Sequence, residues 1–107
     1  MSLILCEGME MKNFKRKILK TIELCNTELR NRKEGILGES TKEQLEEIIL
    51  PELYQVLEQI DHNQLPSMTN RYLNSFANAF SVWGWNMQNP TEIFVLLTEL
   101  DNEYKEL

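Results

Sequence analysis

Apolar residues along this chain recur every three or four positions, the period of a helix with one buried face. Met11, Phe14, Ile18, Ile22, Cys25 and Leu29 form one unbroken stripe, which predicts a first helix from about Glu10 to Lys33. Glu10 stands near the positive end of its dipole and Arg30, Arg32 and Lys33 near the negative end, with Gly35 as the stop. A second stripe, Leu45, Ile48, Ile49, Leu53, Val56, Leu57 and Ile60, opens behind Ser40 and Glu43, which have capping-box spacing. Pro51 falls inside it. Proline removes a backbone donor and clashes with the preceding turn, at about 3 kcal/mol in a helix interior. The apolar phase nevertheless continues past it, so one helix kinked at Pro51 is expected rather than two.

Asp61, His62, Asn63 and Pro66 predict a loop. A third helix is predicted from about Ser67 to Trp83, with Tyr72, Phe76, Phe80 and Trp83 as its apolar face and Gly84 at its end. The fourth is signalled by Asn89 as N-cap, Pro90 at the first helical position and Glu92 completing the box. Ile93, Phe94, Leu96, Leu97, Leu100, Tyr104 and Leu107 carry its apolar side. No stretch alternates with period two. Four amphipathic helices on short connections predict an all-α four-helix bundle, up-and-down or orthogonal.

At 107 residues there is room for one domain. Residues 1–10 read as a leader: Met1-Ser2-Leu3 has the look of a cloning remnant, and Glu7-Gly8 can be encoded by a purine run like a bacterial ribosome-binding site ahead of Met11. The expected domain is therefore residues 11–107. No apolar run approaches the roughly 18–20 residues of a membrane span, and the residues up to Cys6 do not make a secretory signal. A cytoplasmic location is expected. Cys6 and Cys25 are too few for a disulfide framework and show no zinc spacing; Cys25, on the first stripe, reads as a small buried hydrophobe.

The residue types offer little for catalysis. The single histidine, His62, lies in the predicted loop, where solvation is the ordinary state. Glu43, Glu46 and Glu47 crowd one turn, but no Glu-x-x-His pair accompanies them, so a bundle di-metal site is not expected. Gly35 and Gly38 precede no Lys-Ser/Thr and make no phosphate loop. Neither an enzyme, nor a metal, nor a cofactor is expected.

Charge is unevenly spread. Eight of the eleven basic residues fall between Lys12 and Lys33, beside two acids, whereas residues 34–107 carry three basic and thirteen acidic side chains. Lys12, Arg16 and Lys20 share one helical face with Lys15 beside it. One reading is a phosphate-contacting helix; the other is a basic helix packed beside the acidic second one, so that the fields partly cancel. The overall charge of −6 disfavours nucleic acid. Asn70, Asn74 and Asn78 repeat every fourth residue, with Arg71 nearby and Trp85 past the helix stop, where it is read either as half exposed beside them or as packed in the core with Trp83. That face is either a solvated stripe or a contact surface, since interface centres are poor in charge and rich in aromatics and Arg. The expectation is a non-enzymatic interaction module of the bacterial immunity or inhibitor type, binding a basic protein. Two alternatives stand beside it: a nucleic-acid-associated regulator using the first helix, and a homo-oligomeric structural protein.

Overall fold

The protein, seen as a computed structural model, is described over the backbone of residues 2–107 and the side chains from Glu10 onward. The side chains of residues 1–9, Cys6 among them, lie outside the described residues. Four helices form a bundle with no strand among the described residues: α1 (Ser2–Lys33), α2 (Leu50–Asp61), α3 (Asn74–Ser81) and α4 (Glu92–Lys105). The helix α1 thus begins earlier than its apolar stripe predicts. Successive helices run antiparallel: Lys15 of α1 meets Asp61 at the end of α2 while Arg32 meets Ser40 ahead of it, and Asn74 meets Glu52 while Asn86 meets Glu39. Helices α1 and α4 are antiparallel too, since Lys17 meets Glu99 and Glu103 and Lys20 meets Glu92. Likewise Leu73, just before α3, bonds to Asp101 near the end of α4, and Phe76 lies beside Phe94 near its start. The arrangement is up-and-down.

Local chemistry explains where α1 stops. Gly35 adopts φ +84°, Gly35 N donates to the Arg32 carbonyl and Ile36 N to Asn31, closing a Schellman motif. Asn63, at φ +53°, does the same for α2, with Gln64 N donating to Gln59. Between these ends Arg32 is nearly buried. Its guanidinium donates to the Ser40 carbonyl at 2.6 Å and the Ile36 carbonyl at 3.3 Å, and pairs with Glu28 at 3.0 Å. Ser40 is therefore occupied and buried, and the cap falls one residue later than predicted. Gln44 N donates to Thr41 Oγ1 at 3.1 Å and Thr41 N donates to Gln44 Oε1 at 3.0 Å, a reciprocal box on Thr41 rather than Ser40.

Helical turns then continue without a break from residue 42 to 61. Gln44–Ile49 is π-helical, and Leu50 N donates to the Leu45 carbonyl five residues back. A wider turn ahead of Pro51 removes the carbonyl clash that a proline creates in ordinary helical pitch. The segment is one helix, with Pro51 in the first turn of α2.

The third predicted helix is broken. Met68–Asn70 is a single 3-10 turn, the chain is extended at Leu73 (φ −102°, ψ 118°), and α3 starts only at Asn74. Three tertiary bonds from two carboxylates accompany this break. Asp101 Oδ1 accepts from Leu73 N at 2.8 Å, and the Glu52 carboxylate of α2 accepts from Asn74 N and Ser75 N at 2.7 and 2.8 Å. A carboxylate from another helix thus caps the positive end of α3. The start of α4 also moves. Asn86 Oδ1 accepts from Gln88 N and Asn89 N, tying residues 86–89 into a turn, and Thr91, not Asn89, is the N-cap, accepting from Phe94 N at 3.3 Å.

The core joins Phe14, Ile18 and Cys25 of α1 to Leu53, Leu97, Leu100 and Tyr104. Phe14 and Tyr104 stack with ring centroids 5.9 Å apart. Burial pushes the Cys25 thiol up from 9.0 to about 12. Only the thiolate is nucleophilic, so native Cys25 is expected to resist iodoacetamide at pH 8 and to react at the rate of unfolding. Mass spectrometry of timed samples checks this, and rapid native labelling would show that the interior opens. The linkage has a definite sign. A raised thiol pKa contributes stability that is complete below 9.0 and is lost as pH climbs toward 12. Burial also raises Tyr104, so alkaline conditions act on both groups in the same direction.

Candidate functional site

Half of the basic face of α1 is paired with acids of neighbouring helices. Lys15 pairs with Asp61 at 2.6 Å, Lys17 with Glu103 and with Glu99 at 3.2 Å, and Lys20 with Glu92 at 3.6 Å. The hydrogen bond to Glu103 holds Lys17 above the ordinary lysine range, against the opposing effect of burial. Lys12 and Arg16 have no ion-pair partner among the described residues. The acids that neutralise α1 come chiefly from α4, with one from the end of α2. These pairs are of the kind expected from a basic helix packed beside acidic ones, with α4 supplying more of the acids than α2.

Of the five residues of the expected contact surface, only Asn74 and Asn78 share a flank of α3. Asn70 sits in the 3-10 turn, off α3. Arg71 is half-buried and structural: Nε donates to the Pro66 carbonyl at 2.8 Å and a terminal nitrogen to the Leu107 backbone oxygen at 2.7 Å. Asn74 is exposed but lies beside Glu47, Glu52 and Gln55 of the acidic second segment. Asn78 is half-buried, and its carbonyl accepts from Val82 N and Trp83 N. Trp85 is only 4% exposed and belongs to the core. Gly84, at φ +67°, turns the chain inward after α3, and Trp85 N reaches back to the Ala79 carbonyl at 3.2 Å. Its ring meets Phe94 edge-on, with centroids 5.6 Å apart.

The opposite correction applies to the aromatic face. Tyr72 is exposed and Phe80 is 54% exposed, while Phe76 and Trp83 are half-buried. With α3 starting at Asn74, its buried side is Ser75 and Ala79. Helical geometry puts Asn74 and Asn78 on one flank of that side and Phe76 and Phe80 on the other. The Asn flank faces α2. The Phe flank faces α4.

Between the Phe flank and α4 lies an open groove of about 440 Å³. Phe76 and Phe80 form one wall, Phe94, Val95, Thr98 and Glu99 the other, and Met87 and Pro90 close one end. Phe76 lies 6.0 Å from Phe80 and 6.3 Å from Phe94 between ring centroids, so the floor is an aromatic cluster. Phe80, Met87 and Val95 are exposed apolar side chains within it. Residues 72–91, which supply one wall and one end, contain no charged side chain at all. Sequence reasoning missed this site because it placed Phe80 in the core; the absence of charge from residues 72–91 was the signal that could have found it.

Among the described residues no group of three His, Cys, Asp or Glu side chains is placed to hold a metal ion. His62 is exposed, with Nδ1 3.0 Å from the Glu58 carbonyl. No helix among the described residues is long and apolar enough to cross a membrane. Comparison with protein families, with curated proteins and with solved structures gave no match. The class defined here is thus an all-α four-helix bundle with an apolar groove between its last two helices.

Proposed function

We propose that this chain is a non-enzymatic protein-interaction module that seats an apolar segment of a basic partner protein in the α3–α4 groove. The single observation that carries the reading is the groove itself: exposed aromatic and aliphatic side chains, uncharged on one side, on a chain of net charge −6. Clustered exposed apolar side chains in an otherwise charged surface mark contact sites. Desolvating such a wall removes no full charge from water, while the net negative charge of the chain favours a basic molecule. An immunity or inhibitor protein, masking a basic target such as a nuclease toxin, is the version of this reading that fits the size and the charge. A cytoplasmic site of action fits the buried free thiol of Cys25. The nucleic-acid reading is weakened because Lys15 and Lys20, half of the face it needs, are paired with acids.

Co-purification from native lysate tests the proposal, with the wild type, Phe80→Glu and Asn74→Lys as baits. Phe80→Glu is expected to lose the partner with little change in melting temperature, because the side chain is already half exposed. Asn74→Lys, on the other flank, is expected to keep it. Equal recovery by Phe80→Glu and the wild type sinks the groove reading. Capture lost only by Asn74→Lys moves the contact to the Asn flank. Sedimentation of the pure protein that shifts with concentration, and is reversed by Phe80→Glu, favours self-association instead.

A further inference from the structure

The chemistry of the groove walls narrows the occupant beyond "an apolar segment". Both long walls are helices, whose interior N–H and C=O groups are spent on their own ladders. An extended peptide laid between them would find no strand edge, and its own backbone would lose water without gaining partners. A helix brings its backbone bonds with it. The α3 wall is eight residues long, roughly 12 Å at 1.5 Å per residue, which matches about two turns of a third helix.

Polar groups in the walls are few, and one of them is committed. Thr98 Oγ1 donates to the Phe94 carbonyl of its own helix at 2.8 Å. That leaves Glu99, the charged residue lining the groove. Lys17 approaches its Oε1 at 3.2 Å, and Oε2 has no bond among the described residues. Lys17 is shared with Glu103, so a single ammonium serves both carboxylates. The groove therefore combines an apolar floor with one half-exposed carboxylate on its α4 wall, whose counter-charge is shared with Glu103 outside the groove.

Resting on the reading above, we propose that the groove takes an amphipathic helix. Its apolar residues, at i, i+3 or i+4 and i+7, seat against Phe76, Phe80 and Val95. A lysine or arginine on its margin meets Glu99. This is helix-in-groove recognition, in which the apolar face supplies affinity and the marginal charge supplies selectivity.

Synthetic peptides of about 14 residues probe this directly. One carries leucine at those positions and lysine on its polar face; a second replaces every lysine with glutamate. Binding to the intact chain is read by fluorescence anisotropy of a peptide label. The lysine peptide is expected to bind at least about tenfold tighter than the glutamate peptide. Val95→Asp and, independently, Phe80→Asp are expected to abolish lysine-peptide binding even though each adds an attractive charge. Glu99→Gln is expected to retain binding while reducing the lysine preference several-fold.

Equal binding of both peptides, lost in Val95→Asp and Phe80→Asp, overturns the basic-helix inference and leaves the groove reading standing. An unchanged preference in Glu99→Gln overturns the role of Glu99. Lysine-peptide binding that survives both groove variants shows surface attraction only, and both claims fall. No binding of the lysine peptide up to about 1 mM, an affinity near −4 kcal/mol, overturns the helical occupant, and the capture experiment then judges the groove alone. Circular dichroism of each variant separates loss of binding from loss of fold.

Discussion

Replacing Trp85 with alanine is expected to destabilise the protein by about 3–5 kcal/mol, the range for emptying a buried aromatic site. The ring is 4% exposed, packs edge-on against Phe94 and lies 5.5 Å from Trp83 between centroids. A domain of this size is stable by only about 5–15 kcal/mol, so the variant should melt far earlier or fail to fold. Trp85→Phe separates packing from polarity. Trp85 Nε1 is buried with no hydrogen-bond partner among the described residues, so phenylalanine removes that donor along with some volume and should cost about 1 kcal/mol. Phe80→Ala, at a half-exposed position, should cost less than about 1 kcal/mol. Urea denaturation of the three variants checks the ordering. If Phe80→Ala costs as much as Trp85→Ala, the assignment of core and groove aromatics is inverted.

Asp101→Ala is expected to cost about 2–3 kcal/mol, because it strands a buried donor rather than because it removes an ion pair. Asp101 is buried, and its Oδ1 accepts from Leu73 N at 2.8 Å. Its Oδ2 pairs with Lys105 at 2.9 Å, but that lysine is about half exposed and regains water when released. Lys105→Ala should therefore cost below about 1 kcal/mol. Asp101→Asn keeps an acceptor of similar shape and should recover more than half of the loss. Hydrogen exchange at the Leu73 amide gives an independent readout: protection should vanish in Asp101→Ala and persist in Lys105→Ala. Equal costs for the two alanine variants would mean that the Leu73 bond contributes nothing.

The sites of these two predictions differ in how far the sequence anticipates them. Leu97, Leu100 and Tyr104 sit in the core where the helical period places them, as do Phe14, Ile18 and Cys25. Aromatic residues 72–85 do not follow the period, because the helix that would give it meaning is interrupted. Once α3 starts at Asn74 and ends at Ser81, Tyr72 and Phe80 turn outward and Trp85 turns in. The groove, and with it the candidate site, exists only as a result of that interruption.

The sequence by itself determined the helical class, the number of helices, the stripe of α1 and the stop at Gly35. These depend on residues within a turn or two of one another, where propensity, periodicity and a left-handed glycine act directly. It also carried the opposition of charge between residues 12–33 and the rest of the chain, though not which acids would answer which lysines. Tertiary structure decided the remainder. Glu52 caps α3 across 22 and 23 residues, Asp101 holds Leu73 across 28, and Arg71 reaches Leu107 across 36. The bonds to Glu52 and Asp101 take backbone N–H groups that a regular helix from Ser67 to Trp83 would have used for itself. A local pattern cannot show a competitor for its own hydrogen bonds when that competitor sits on another helix.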